Sequence, residues 1–192
     1  MWIDGVGCWR TWFSERLSIG GPAPIGSSRS PADLALLADL SRLHAEVERV
    51  GDAYRIKAFA ATSVNGTPVD VETYLRHDSL VTLGRDVRFR FRQPSPLSAT
   101  ATWVSESGHR PTDRIDGIVL MDQTCLIGAG PENHIRIPQA ETTAVLFRRE
   151  GSLWLRISGE WKLDGETVSG AQQLENGSVV TFGDCQFRVE MR

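Results

Sequence analysis

Two β-sandwiches in tandem, and so an all-β fold, are what the 192-residue sequence predicts. Three observations carry that expectation. Residues 87–93 alternate strictly, with Phe89 and Phe91 to one side and Arg88, Arg90 and Arg92 to the other, the mark of a half-buried strand. Short apolar runs of this kind recur between turn residues every ten or so positions, as sandwich strands do. Similar landmarks also return in the same order, which is how an internal duplication announces itself. Trp2-Ile3-Asp4-Gly5-Val6 is echoed by Arg114-Ile115-Asp116-Gly117-Ile118, and Ile19-Gly20 by Ile127-Gly128. Val64-Asn65-Gly66 is echoed by Leu163-Asp164-Gly165, and Leu80-Val81-Thr82-Leu83-Gly84 by Val179-Val180-Thr181-Phe182-Gly183.

Taken in order, the first copy occupies 1–93, with strands expected at 11–13, 17–19, 45–50, 54–58 and 87–93. Residues 31–43 are rich in Ala and Leu, strong helix formers, but their place in the pattern assigns them to strand and loop. Residues 73–78 could form one helical turn. Pro94, Pro96 and Pro111 among Ser, Thr and Ala mark 94–112 as a linker. Within it Leu97, Trp103 and Val104 are apolar enough to lie across a surface, where a buried Trp would tie the copies together. The second copy, 113–192, has expected strands at 118–121, 144–149, 153–157 and 185–191, the last facing Phe187 and Val189 inward.

Composition narrows the function. The first 93 residues hold 12 of the 21 Lys and Arg and 11 of the 24 Asp and Glu, which leaves 9 and 13 for the remainder. No clustered basic surface emerges, so nucleic-acid binding is set aside. Cys8, Cys125 and Cys185 form no C-x-x-C pair and have no His at ligand spacing, which argues against a disulfide framework and a metal site and for a reducing, cytoplasmic setting. Neither a signal-peptide pattern nor a run of 18 apolar residues occurs, so no membrane insertion is expected.

The chemistry concentrates in residues 38–47, where Ser41, Arg42 and His44 fall within four positions on an expected turn. Ser41 can donate an O–H and Arg42 a planar fork of charged N–H groups, which suits a phosphate. Ser41 could equally cap its own turn, and Arg42 could be a solvated surface arginine. Catalysis by Ser41 and His44 is discounted, because no third orienting carboxylate and no G-x-S-x-G elbow accompany them. Asn65 and Gly66 suit a tight hairpin turn.

Ser41-Arg42-Leu43-His44 followed by Val64-Asn65-Gly66-Thr67 resembles the S-x-x-H and N-G signatures of the forkhead-associated (FHA) domain, a phosphothreonine-peptide reader. The resemblance extends over both copies. It implies two tandem FHA-like β-sandwiches, the second degenerate, and a non-catalytic interaction module without cofactor. It implies a phosphothreonine-containing protein or peptide as partner, with a Ser/Thr kinase as companion. By the same resemblance Ser41 contacts phosphate, Asn65 bonds the peptide main chain, and His44 and Gly66 shape the loops. The chain departs from the family at Gly21, where a phosphate-contacting Arg is expected. Arg42 then carries more of the charge, Arg29 is a candidate replacement from the following loop, and Gly21→Arg is expected to strengthen binding. The alternative is a phosphate-independent scaffold. In the second copy Ala129 falls at the Arg position, no S-x-x-H occurs, and Asp164 replaces the Asn, so this copy is expected to be a structural partner.

Overall fold

The computed structural model describes residues 1–23, 30–95, 98–109, 111 and 113–191, so Arg29 and Leu97 lie outside the described residues. The expectation of an all-β chain holds: every regular element is a strand, as in β-sandwich proteins. In chain order these are β1 (Trp2–Ile3), β2 (Gly7–Trp12), β3 (Arg16–Gly20), β4 (Leu34–Ala35), β5 (Ala45–Val50) and β6 (Ala53–Ala58). Then follow β7 (Thr62–Val64), β8 (Thr67–Pro68), β9 (Glu72–Leu75), β10 (Ser79–Leu83) and β11 (Val87–Arg92). Next come β12 (Ala101–Ser105), β13 (Gly117–Leu120), β14 (Thr124–Gly128), β15 (Ile135–Arg136) and β16 (Ala144–Arg149). The last are β17 (Ser152–Leu163), β18 (Glu166–Leu174), β19 (Val179–Phe182) and β20 (Cys185–Arg188).

One five-stranded sheet runs β4-β3-β5-β6-β9. Its solvent side carries a ladder of alternating charge, Arg16 to Glu48 at 2.8 Å, Glu48 to Arg55 at 2.6 Å and Arg55 to Glu72 at 3.1 Å. A second, continuous sheet runs β15-β14-β16-β17-β19-β20-β1-β2-β13-β12-β11-β10-β7-β8, with β18 attached to β17. Strand β17 pairs with β18 along one edge and with two strands in turn along the other. Its first six residues pair with β16 and its last two with β19, and a register shift between Ile157 and Glu160 lets it turn from one to the other. The helical turn entertained for residues 73–78 is absent, because the chain is strand through Leu75 and paired to β6 there.

Two apolar clusters form, and they do not follow a cut at residues 93 and 113. Residues 94–112 are not a free linker: β12 lies between β11 and β13, and Trp103 is wholly buried against Phe89, ring centroids 5.3 Å apart. Strand β1 crosses the other way, pairing Ile3 with Phe187 of β20. Thus β12 completes the cluster built mainly from the first half, while Ile3 and Trp9 complete that of the second. The strands β2 and β13 lie side by side and parallel between the clusters, Thr11 opposite Val119 and Trp12 opposite Leu120. Successive side chains of a strand face opposite ways, and so Ile118 and Leu120 enter the first cluster while Val119 and Met121 enter the second. Trp9 sits opposite Gly117, and Ile19 with Ile127 and Gly20 with Gly128 keep the same spacing, so Trp9 matches Gly117. The W-I-D-G and R-I-D-G stretches are therefore out of step. Asp116 bonds the Cys8 N–H through its carboxylate at 2.8 Å, whereas Asp4 donates its backbone N–H to the Gln186 carbonyl at 3.0 Å.

Candidate functional site

The loop between β4 and β5 is presented by a buried histidine. His44 is 3% exposed, its backbone N–H donates to the Ile19 carbonyl at 2.8 Å, and its carbonyl accepts from Phe59 and Ala60 at 2.9 and 3.1 Å. The ring Nδ1 accepts the Ser41 N–H at 3.3 Å, and Nε2 is 2.8 Å from the Ala61 carbonyl. Accepting at Nδ1 puts the proton on Nε2, so the ring donates to Ala61. The Gly84 N–H, 3.2 Å from Nε2, is satisfied by the same Ala61 carbonyl at 2.8 Å. His44 therefore ties loop 39–44 to the start of β7 and the end of β10. Every polar group of the ring is engaged in the fold, and no carboxylate orients it.

Ser41 and Arg42 are exposed on this clamped loop, and neither the Ser41 hydroxyl nor the Arg42 guanidinium has a hydrogen bond or ion pair among the described residues. Leu43 follows them in the chain and Phe59 adjoins His44 through its backbone N–H, the two side chains 39% and 46% exposed, and the Lys57 ammonium lies 5.4 Å from the centre of the Phe59 ring. A charged fork, a hydroxyl and an apolar flank together suit an anionic, partly apolar segment. Phe59 and Lys57 carried no motif and were missed. The one sign of them in the sequence is the run Phe59-Ala60-Ala61, where β6 must hand over to β7.

The position expected to hold an arginine is closed. Gly21 donates its N–H to the Ser41 carbonyl at 2.9 Å, and a Cβ added there would lie 2.6 Å from the Leu40 carbonyl oxygen. Backbone occupies the space, so Gly21 is glycine because loop 39–44 is seated directly on it, and the expected gain from Gly21→Arg does not follow.

Asn65 belongs to a different loop from Ser41. With φ of 52° and 81°, Asn65 and Gly66 make the tight turn between β7 and β8, a left-handed pair that Asn-Gly favours. Four residues of extended chain separate Asn65 from Ala61, about 13 Å. Its Oδ1 accepts the Leu80 N–H at 2.8 Å while its own N–H donates to the Leu80 carbonyl at 2.8 Å. Asp164 makes the same pair of bonds to Val179, at 2.7 and 2.8 Å, with φ of 53°. The two residues are equivalent turn caps, and the expected peptide contact of Asn65 is not what its Oδ1 does here. The Asp164 carboxylate is accounted for in the same way.

The equivalence of the halves extends to β3 and β14. Asp33 caps the Ser18 N–H at 2.9 Å, and His134, at the matching position, caps the Leu126 N–H through Nδ1 at 2.9 Å. His134 is 4% exposed, and burial pushes its pKa down to about 4, against a weaker opposing pull from the Thr100 backbone. Burial pushes the Cys125 and Cys185 thiols up, which suits apolar packing and not nucleophilic or metal-binding thiolate. Among the described residues no cluster of His, Cys, Asp and Glu has metal-binding geometry, and no helix is long and apolar enough to cross a membrane. The chain matches no family model, no curated protein and no solved structure.

Proposed function

We propose that this chain is a non-catalytic protein-interaction module of two FHA-like β-sandwiches, with loop 39–44 as the recognition surface for a phosphothreonine-containing partner. The observation that carries the reading is the clamping of this loop by His44, which holds exposed the Ser41 hydroxyl and Arg42 guanidinium, neither bonded among the described residues. A preorganised hydroxyl and guanidinium lose little entropy on gripping a phosphate, and the charge-assisted bonds they make are strong ones. Among the described residues Arg42 is the cation within the motif, so the grip is weaker than a two-arginine site would give, since a phosphate dianion favours more than one cationic donor. A partner in Ser/Thr kinase signalling and a cytoplasmic setting belong to the same proposal, the latter supported by three free cysteines.

A second reading, a phosphate-independent scaffold, is favoured by two specific observations. The Asn65 Oδ1 is spent on Leu80, and Gly21 has no room for an arginine. Calorimetric titration with matched threonine and phosphothreonine peptides separates the two readings. Phosphate recognition predicts that only the phosphorylated peptides bind and that Arg42→Ala removes the difference. Equal binding of both peptides would replace it with the scaffold reading.

A further inference from the structure

Beneath the loop that joins β14 to β15, the second half buries an amide with nothing to bond. Asn133 is 1% exposed, and neither its Nδ2 nor its Oδ1 has a partner among the described residues. The amide is lodged at the end of β14: a Cβ on Gly128 would lie 2.9 Å from Asn133 Nδ2 and 3.0 Å from Thr143 Oγ1. The equivalent glycine of the first half, Gly20, faces the backbone carbonyl of Arg42. The second half has filled the same place with side-chain polar groups.

An unbonded buried amide is costly, and native interiors almost never leave both ends of one unsatisfied. The backbone fixes this side chain inward, because the Asn133 N–H donates to the Gly130 carbonyl at 3.2 Å and the His134 N–H to the Leu126 carbonyl at 2.9 Å. We infer that the pocket under the β14–β15 loop is an internal hydration site, in which ordered water bridges the Asn133 amide to neighbouring polar groups, Thr143 Oγ1 among them. Such a site needs a polar lining with two or more partners for each water. The amide supplies two donors and an acceptor, and Thr143 a hydroxyl. The ligand is water, since the groups that meet at Gly128 are an uncharged amide and a hydroxyl.

Two measurements on the intact chain test this. A high-resolution crystal structure is expected to show at least one water about 2.7–3.2 Å from an Asn133 amide atom. Asn133→Leu, nearly the same in shape, is expected to lower Tm by about 2–4 °C, since the water loses its partner and the remaining groups go unsatisfied. A dry pocket in the crystal, or a rise in Tm for Asn133→Leu, would overturn the inference. An apolar side chain improves that site only if no water serves the amide.

Discussion

Lowering the pH from 7.5 to 5 should destabilise this protein through His134. The ring is buried, uses Nδ1 to hold the Leu126 N–H, and has a folded pKa of about 4 against an ordinary 6.5. A pKa depressed on folding means that the unfolded chain takes up a proton first. The contribution of the neutral ring is therefore complete above pH 6.5 and is lost as pH falls towards 4. By linkage the loss is about 2 kcal/mol at pH 5 and about 3 kcal/mol at pH 4. For a chain of this length the former corresponds to roughly 4–8 °C in Tm. His134→Asn keeps an acceptor for Leu126 and cannot titrate in this range. Thermal melts followed by circular dichroism at pH 7.5 and pH 5 should show the parent losing that margin relative to His134→Asn. The ladder residue Glu48 does not confound the comparison, because hydrogen bonds from Arg55 and Arg16 lower its pKa below 4.5 and its contribution is lost only under more acid conditions. If parent and variant lose the same stability between pH 7.5 and 5, the buried neutral histidine has no place in the fold's energetics.

Further expectations concern the loop and the exchanged strands. Arg42→Ala and Ser41→Ala should each weaken phosphothreonine-peptide affinity by about 10- to 150-fold in calorimetry, the equivalent of one charge-assisted bond, with Tm unchanged because both side chains are exposed. Gly21→Arg should lower stability in denaturant titration by about 1–3 kcal/mol and give no gain in affinity, since its Cβ would be 2.6 Å from the Leu40 carbonyl oxygen. Ile3→Ala should cost about 2–5 kcal/mol, with hydrogen exchange rising in β20 and β19 and not in β11, because Ile3 belongs to the second cluster.

The strand pattern was legible because period-two alternation and turn residues are local signals: the 87–93 run, residues 45–50 and the Asn65-Gly66 hairpin turn fall where they were expected. Which strand pairs with which was not legible. The exchange of β1 and β12 depends on Ile3 and Trp103 finding cores on the far side of a shared pair of strands, and hydrophobic residues carry no address. Prolines at 94, 96 and 111 suggested a tether, yet Thr102, Trp103 and Val104 between them pair on both edges. At the site, His44 was read correctly as loop-structuring, since its spacing from Ser41 fits a local bond. The Asn65 bond to Leu80 was not legible, because an Asn-Gly pair has the same sequence signature whether the amide faces a ligand or caps the next strand. The closure over Gly21 is a tertiary contact with Leu40, and nothing in the surrounding sequence announces it.

The recognition surface itself is tested most directly by following backbone amide shifts of the intact, isotopically labelled chain as a phosphothreonine peptide is added. Recognition by the clamped loop predicts saturable shifts at residues 41–44, at Phe59, Ala60 and Ala61, and at Gly84, whose N–H shares the Ala61 carbonyl with His44. Residues 65 and 66 and the second-half loops at 129–134 and 138–143 should stay still. Shifts centred on Asn65 or on the second half, with loop 41–44 unmoved, would contradict it.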